Sequence, residues 1–147
     1  MSAEENKALV RRYFEAGNQD NLAAWDDLCD PGMVLHTGFT EPVEGLEAVK
    51  QFTSAFHSAF SNFFLTVEDL IAEGDRVAVR WTTGGSHTAP LVTPGGAVPP
   101  TGKQMVMNGI SIMRLAGGKI VEERTQADIL GGMQQLGVIP ASGQGGA

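Results

Sequence analysis

GGKIVEERTQADILGGMQQLG, residues Gly117 to Gly137, reads as a glycine turn, a strand and then a short helix, with one acidic residue, Asp128, where the strand passes into the helix. Ile129 to Leu136 forms the helix, weakened by Gly131 and Gly132. The run before the turn, MVMNGISIMRL from Met105 to Leu115, alternates apolar and polar residues, so the two strands make a hairpin. Side chains on a strand repeat every second residue, which puts Arg124, Gln126 and Asp128 on one face and pairs Ile120 with Glu122.

Moving upstream, residues 90 to 103, PLVTPGGAVPPTGK, hold four of the seven prolines and suit a mobile loop or bulged hairpin connection. VAVRWTTGGSHTAPL and the run after Asn62 form another hairpin across the AEGDR turn, Ala72 to Arg76, with Arg80 and Trp81 on opposite faces. Before them stand three helical runs. Leu9, Val10, Tyr13, Phe14 and Ala16 recur at helical spacing, Leu22, Trp25 and Leu28 make a second apolar side, and Val49, Phe52, Phe56 and Phe60 form an aromatic stripe on a third helix beginning near Gly45. A brief strand, Met33 to Gly38, carries His36. Helices followed by an antiparallel meander and a closing helix predict an α+β fold: a curved, cone-shaped sheet with the helices on one face and a ligand space between. One domain is expected over 1–137, with a flexible tail over 138–147.

Composition bounds the function. The chain has 147 residues, 42% of them apolar and 18% charged, enough for a core and a cavity. A net charge of −7 argues against nucleic acid or an anionic membrane as partner. The single cysteine, Cys29, reads as a small buried hydrophobe at the end of a helix. No secretory signal or membrane span is legible, and a cytoplasmic location is expected. Serine nucleophile elbows and nucleotide-binding glycine patterns are absent from the sequence.

Three pieces, ENKALVRRYFEAGNQDNLAAWDDL, VAVRWTTGGSHTAPL followed by PPTGKQM, and GGKIVEERTQADILGGMQQLG, resemble the SnoaL-like polyketide cyclases, or ester cyclases, of the nuclear transport factor two-like superfamily. The resemblance implies a cone-shaped α+β barrel, usually a homodimer or homotetramer, that closes a ring by intramolecular aldol condensation without metal or organic cofactor. Its single acid/base aspartate falls on Asp128, and its polar pocket positions on His36, His87 and Asn108. Arg124 stands where relatives commonly have tryptophan, and Gly131-Gly132 replaces bulkier apolar residues, both of which bear on the substrate.

Each candidate also has a plainer reading. Asp128 suits a helix N-cap, and Arg124 suits either a substrate clamp or an ion pair with a glutamate on a neighbouring strand. Trp81 and Phe56 belong to the core or to a pocket wall. His87 suits a donor to a substrate carbonyl or a satisfied rim residue, and Asn108 orients substrate or satisfies backbone. His57 reads as a surface residue. The two histidines His36 and His87 with Asp128 could make a metal triad, although no close ligand spacing supports it. The expectation is a small-molecule enzyme of the cyclase type. Its rivals are epoxide opening or hydroxylation on the same fold, and a non-catalytic binding or dimer scaffold whose cavity is plugged by Phe52, Phe56 and Trp81.

Overall fold

The computed structural model describes residues 1–140; the predicted flexible tail therefore lies, from residue 141 on, outside the described residues. Residues 138–140 are tied back to the last helix through Val138 N to the Met133 carbonyl at 3.0 Å and Gln134 Nε2 to the Pro140 carbonyl at 3.2 Å.

Helix α1 runs Ala3–Asn18. It starts where Ser2 and Glu5 exchange reciprocal side-chain and backbone hydrogen bonds, each 3.1 Å, satisfying two of the donors that a helix start leaves open. Its inner face buries Leu9, Val10, Tyr13 and Phe14. A 3-10 turn, Leu22–Ala24, and the four-residue α2, Trp25–Leu28, follow. Strand β1, Cys29–His36, starts earlier than its sequence pattern suggested, so Cys29 opens a strand and is buried there. After the short β2, Val43–Glu44, helix α3 spans Leu46–Ser58. Gly45 precedes it at φ +93°, backbone that a side chain rarely permits. Phe60, assigned from spacing to this helix, instead begins β3, Phe60–Glu73.

The sheet is completed by β4, Arg76–His87, β7, Gln104–Ala116, and β8, Lys119–Ala127, with the small β5, Leu91–Thr93, and β6, Gly96–Val98, paired in the proline-rich connection. Its order is β2-β1-β8-β7-β4-β3. The strands β3, β4, β7 and β8 form the expected antiparallel meander, but β1 adds to β8 in parallel, with Leu35 opposite Glu123 and His36 opposite Arg124, so the sheet is mixed. Helix α4, Ile129–Gln135, closes the chain.

Strand β7 alternates strictly: Met105, Met107, Gly109, Ser111, Met113 and Leu115 point inward, and Val106, Asn108, Ile110 and Ile112 outward. Its partner β8 does not. Arg114 pairs with Glu122 while Leu115 pairs with Ile120, so Val121 is an extra residue, a bulge that reverses which face the side chains take. Ile120 is buried, and beyond the bulge the inward positions are Glu123, Thr125 and Ala127, with Glu122, Arg124, Gln126 and Asp128 turned the other way. The face shared by Arg124, Gln126 and Asp128 is as the alternation predicted, whereas the bulge separates Ile120 from Glu122.

Candidate active site

Between the concave face of the sheet and helices α1 and α3 lies a cavity of about 180 Å³, walled by Phe14, Leu35, Phe52, Phe56, Phe63 and Trp81 among others. Its volume compares with the roughly 150 Å³ engineered cavity that admits benzene, so a larger ligand would extend through the mouth. Phe52, Phe56 and Trp81 line this space and do not fill it.

Glu123 is the one carboxyl among the described residues on the cavity wall. It is 8% exposed, and both oxygens are held: Tyr13 Oη donates to Oε1 at 2.7 Å, and Ser111 Oγ to Oε2 at 2.9 Å. Ser111 Oγ in turn accepts from Trp81 Nε1 at 3.0 Å and lies 3.0 Å from Thr125 Oγ1, its cross-strand partner. One serine proton can serve only one acceptor; with that proton on Glu123, the threonine hydroxyl donates to the serine oxygen and every polar group has its partner. Trp81 reaches Ser111 because its indole crosses Gly109, where a Cβ would come within 2.4 Å of the ring. Tyr13 is fixed by stacking on Trp25, ring centroids 4.3 Å apart and 15° from parallel, while Trp25 Nε1 donates to the Tyr13 carbonyl at 3.0 Å.

Burial dominates the electrostatics. It raises the Glu123 carboxyl above the ordinary carboxylate range, against the opposing pull of the bonds from Tyr13 and Ser111. Burial, reinforced by the neighbouring Glu123, also pushes the Tyr13 hydroxyl well up, and it drives the Cys29 thiol to about 12. A desolvated carboxylate with its orientation fixed is a stronger base than one in water.

Of the residues singled out from sequence, Trp81 and Phe56 stand on the cavity wall. The others lie elsewhere. Asp128 is exposed and caps α4: its Oδ1 accepts from Gly131 N at 2.9 Å, and the carboxylate lies so close over Gly131 that a Cβ there would meet Oδ2 at 2.2 Å. The helix start satisfies this carboxylate, and the Gly131-Gly132 departure accommodates it. Asn108 is exposed on the outer face, its carbonyl accepting from Asp128 N at 3.0 Å. Arg124 also points outward, 3.4 Å from Glu122 on its own strand, not a neighbouring one. His36 meets the same carboxylate at 3.4 Å, and Arg114 approaches it at 3.6 Å. Partial burial acts to raise Glu122, but Arg124, Arg114 and His36 beside it outweigh that and hold it below the ordinary carboxylate range. His87 is fully buried off the cavity; Thr101 N donates to its Nδ1 at 3.2 Å, which anchors the end of the proline-rich connection to β4. His36, His87 and Asp128 are not gathered, and among the described residues no group of three or more His, Cys, Asp or Glu could hold a metal ion.

Two wall residues were not foreseen. Glu123 was hidden by the bulge at Val121. His57, expected at the surface, has a side chain only 9% exposed and lines the cavity.

Residues 7–136 match the sequence pattern of the SnoaL-like polyketide cyclases. The chain belongs to that family. Over 135 residues it is 30% identical to the aklanonic acid methyl ester cyclase DnrD of Streptomyces peucetius, covering 88% of each chain. Among solved structures, a proposed SnoaL-like polyketide cyclase of Jannaschia sp. is 26% identical with a TM-score of 0.82, over 94% of this chain and 95% of that one. IdmH of Streptomyces antibioticus, a proposed polyketide cyclase, is 32% identical with a TM-score of 0.71, over 90% and 98%. The SnoaL-like fold accounts for the curved sheet over its helices. No helix among the described residues is long and apolar enough to cross a membrane.

Proposed function

We propose that this SnoaL-like protein is a cofactor-independent cyclase that closes a ring by intramolecular aldol condensation in an apolar, carbonyl-rich small molecule, with Glu123 as the base. The observation that carries this reading is the Glu123 carboxyl, desolvated and doubly hydrogen-bonded on the wall of an otherwise apolar cavity. The carboxylate removes a proton from carbon flanked by carbonyls; the resulting enolate carbon attacks a second carbonyl of the same molecule. A positioned base contributes about 10²–10⁴-fold. The aromatic walls supply the rest by folding the substrate so that the two carbons meet.

This places the chemistry on a different residue from the family resemblance, which put it on Asp128. The two assignments separate cleanly. In deuterated water, the protein should catalyse exchange of the α-protons of a phenyl-terminated 1,5-diketone; Glu123→Gln should abolish that exchange and Asp128→Asn should spare it. The opposite pattern would return the base to Asp128. Oxygen from labelled water appearing in a product would point instead to the hydrolytic or hydroxylating alternatives, because aldol closure incorporates none. We further propose a homodimer formed through the outer sheet face, where Val106, Ile110 and Ile112 are 50%, 51% and 38% exposed.

A further inference from the structure

A new carbon–carbon bond leaves an alkoxide on the attacked carbonyl, and that oxygen must receive a proton. Both Glu123 oxygens already accept a hydrogen bond, one from Tyr13 of α1 and one from Ser111 of β7. The helical wall carries another group. His57 sits in the last turn of α3, and its ring packs 4.0 Å from that of Phe63 and at the edge of Phe56. Its Nδ1 lies 3.0 Å from Asp20 Oδ1, leaving Nε2 as the nitrogen available to a bound molecule. Asp20 is one of two non-glycine residues with positive φ among those described, at 54°. That conformation is costly for a residue with a side chain and persists where the surroundings enforce it. Here Asp20 N donates to the Gly17 carbonyl at 3.1 Å and Asn21 N to the Ala16 carbonyl at 2.8 Å, so the end of α1 holds the carboxylate toward His57.

Resting on the proposed ring closure, we infer that His57 is a second catalytic residue, the proton donor to the nascent alkoxide, and that Asp20 is the positioning residue that orients its imidazole. The step balances. Glu123 takes the proton from the α-carbon, the enolate electron pair forms the new carbon–carbon bond as the carbonyl π bond breaks, and the imidazolium Nε2–H goes to the alkoxide oxygen. Transfer of the Glu123 proton to His57 through solvent restores both groups, with no oxidant, reductant or co-reactant consumed.

The test compares two rates on one such diketone, 1-phenylhexane-1,5-dione: α-proton exchange, which needs the base, and closure to the cyclic β-hydroxyketone, which also needs the donor. His57→Gln should lower the ratio of closure to exchange by about 10²-fold or more. Asp20→Asn should lower it less, with part regained in Asp20→Glu, and added imidazole should restore closure to His57→Ala. Closure at the wild-type rate in His57→Gln would overturn the inference, as would loss of both rates by the same factor, which marks a structural role. Failure of the underlying reading has a different signature, exchange in Glu123→Gln equal to wild type whatever His57 does.

Discussion

Replacing Ser111 with alanine takes one oxygen out of the centre of the buried network. Three groups lose a partner: the Trp81 indole N–H, 3.0 Å from Ser111 Oγ, the Thr125 hydroxyl, also 3.0 Å from it, and Glu123 Oε2, which accepts from it at 2.9 Å. An unpaired buried donor costs about 1–3 kcal/mol, and a hydrogen bond to a charged group contributes about 1.5–3 kcal/mol. These losses share one network and overlap, so we expect a combined loss of about 3 kcal/mol. For a chain of this length each kcal/mol moves Tm by about 2–4 °C, giving a fall of about 6–12 °C by calorimetry. The chemistry should respond in parallel. Ser111 is a donor that holds the Glu123 carboxyl down against burial, so without it the carboxyl rises further and the pH dependence of α-proton exchange moves to higher pH. A Tm within about 2 °C of wild type together with an unshifted pH dependence would refute the network as drawn.

Stability of the wild type should fall as pH rises from the ordinary glutamate range through the raised Glu123 value, because the folded state holds that proton more tightly than the unfolded chain does. The loss is about 1.4 kcal/mol for each unit of upward shift, and urea titrations across pH should show it in the wild type and not in Glu123→Gln. Asp128→Ala should cost about 1 kcal/mol through loss of the α4 cap and leave α-proton exchange within about twofold; a hundredfold loss of exchange in the soluble variant would make Asp128 the base. Ile110→Glu with Ile112→Glu should convert the proposed dimer to monomer in sedimentation, and an unchanged sedimentation coefficient would place the subunit contact elsewhere.

Much of the fold was legible because alternation is written directly into the strands: Met105 to Leu115 needs no tertiary information to be read as a half-buried strand. The glycine turn, the α1 spacing and the helix start at Asp128 are equally local. The site was less legible, for physical reasons. Counting by twos along β8 fails at Val121, since a one-residue bulge reverses inside and outside without any mark in the sequence. Glu123 therefore went unassigned, and Asp128, which does what aspartate does at a helix start, drew the functional reading. His57 stands one position off the aromatic stripe, and its partner Asp20 is 37 residues away, a pairing that only the packing of α1 and α3 on β3 creates. The parallel addition of β1 to β8, which brings Leu35 opposite Glu123, is likewise a long-range pairing with no local signature. By contrast, Trp81 and Phe56, which periodicity leaves open between core and pocket wall, line the cavity.

Glu123 as base requires a substrate-like anion to bind in the apolar cavity, and a crystal structure with 2-naphtholate, a flat apolar ring carrying one enolate-like oxygen, would show where it sits. We predict the ring between Phe56 and Trp81 in the cavity that Glu123 lines. Naphtholate seated instead against Asp128, or in a second pocket, lined by His36, Pro42, Ile110 and Arg124, with the cavity empty, would contradict it.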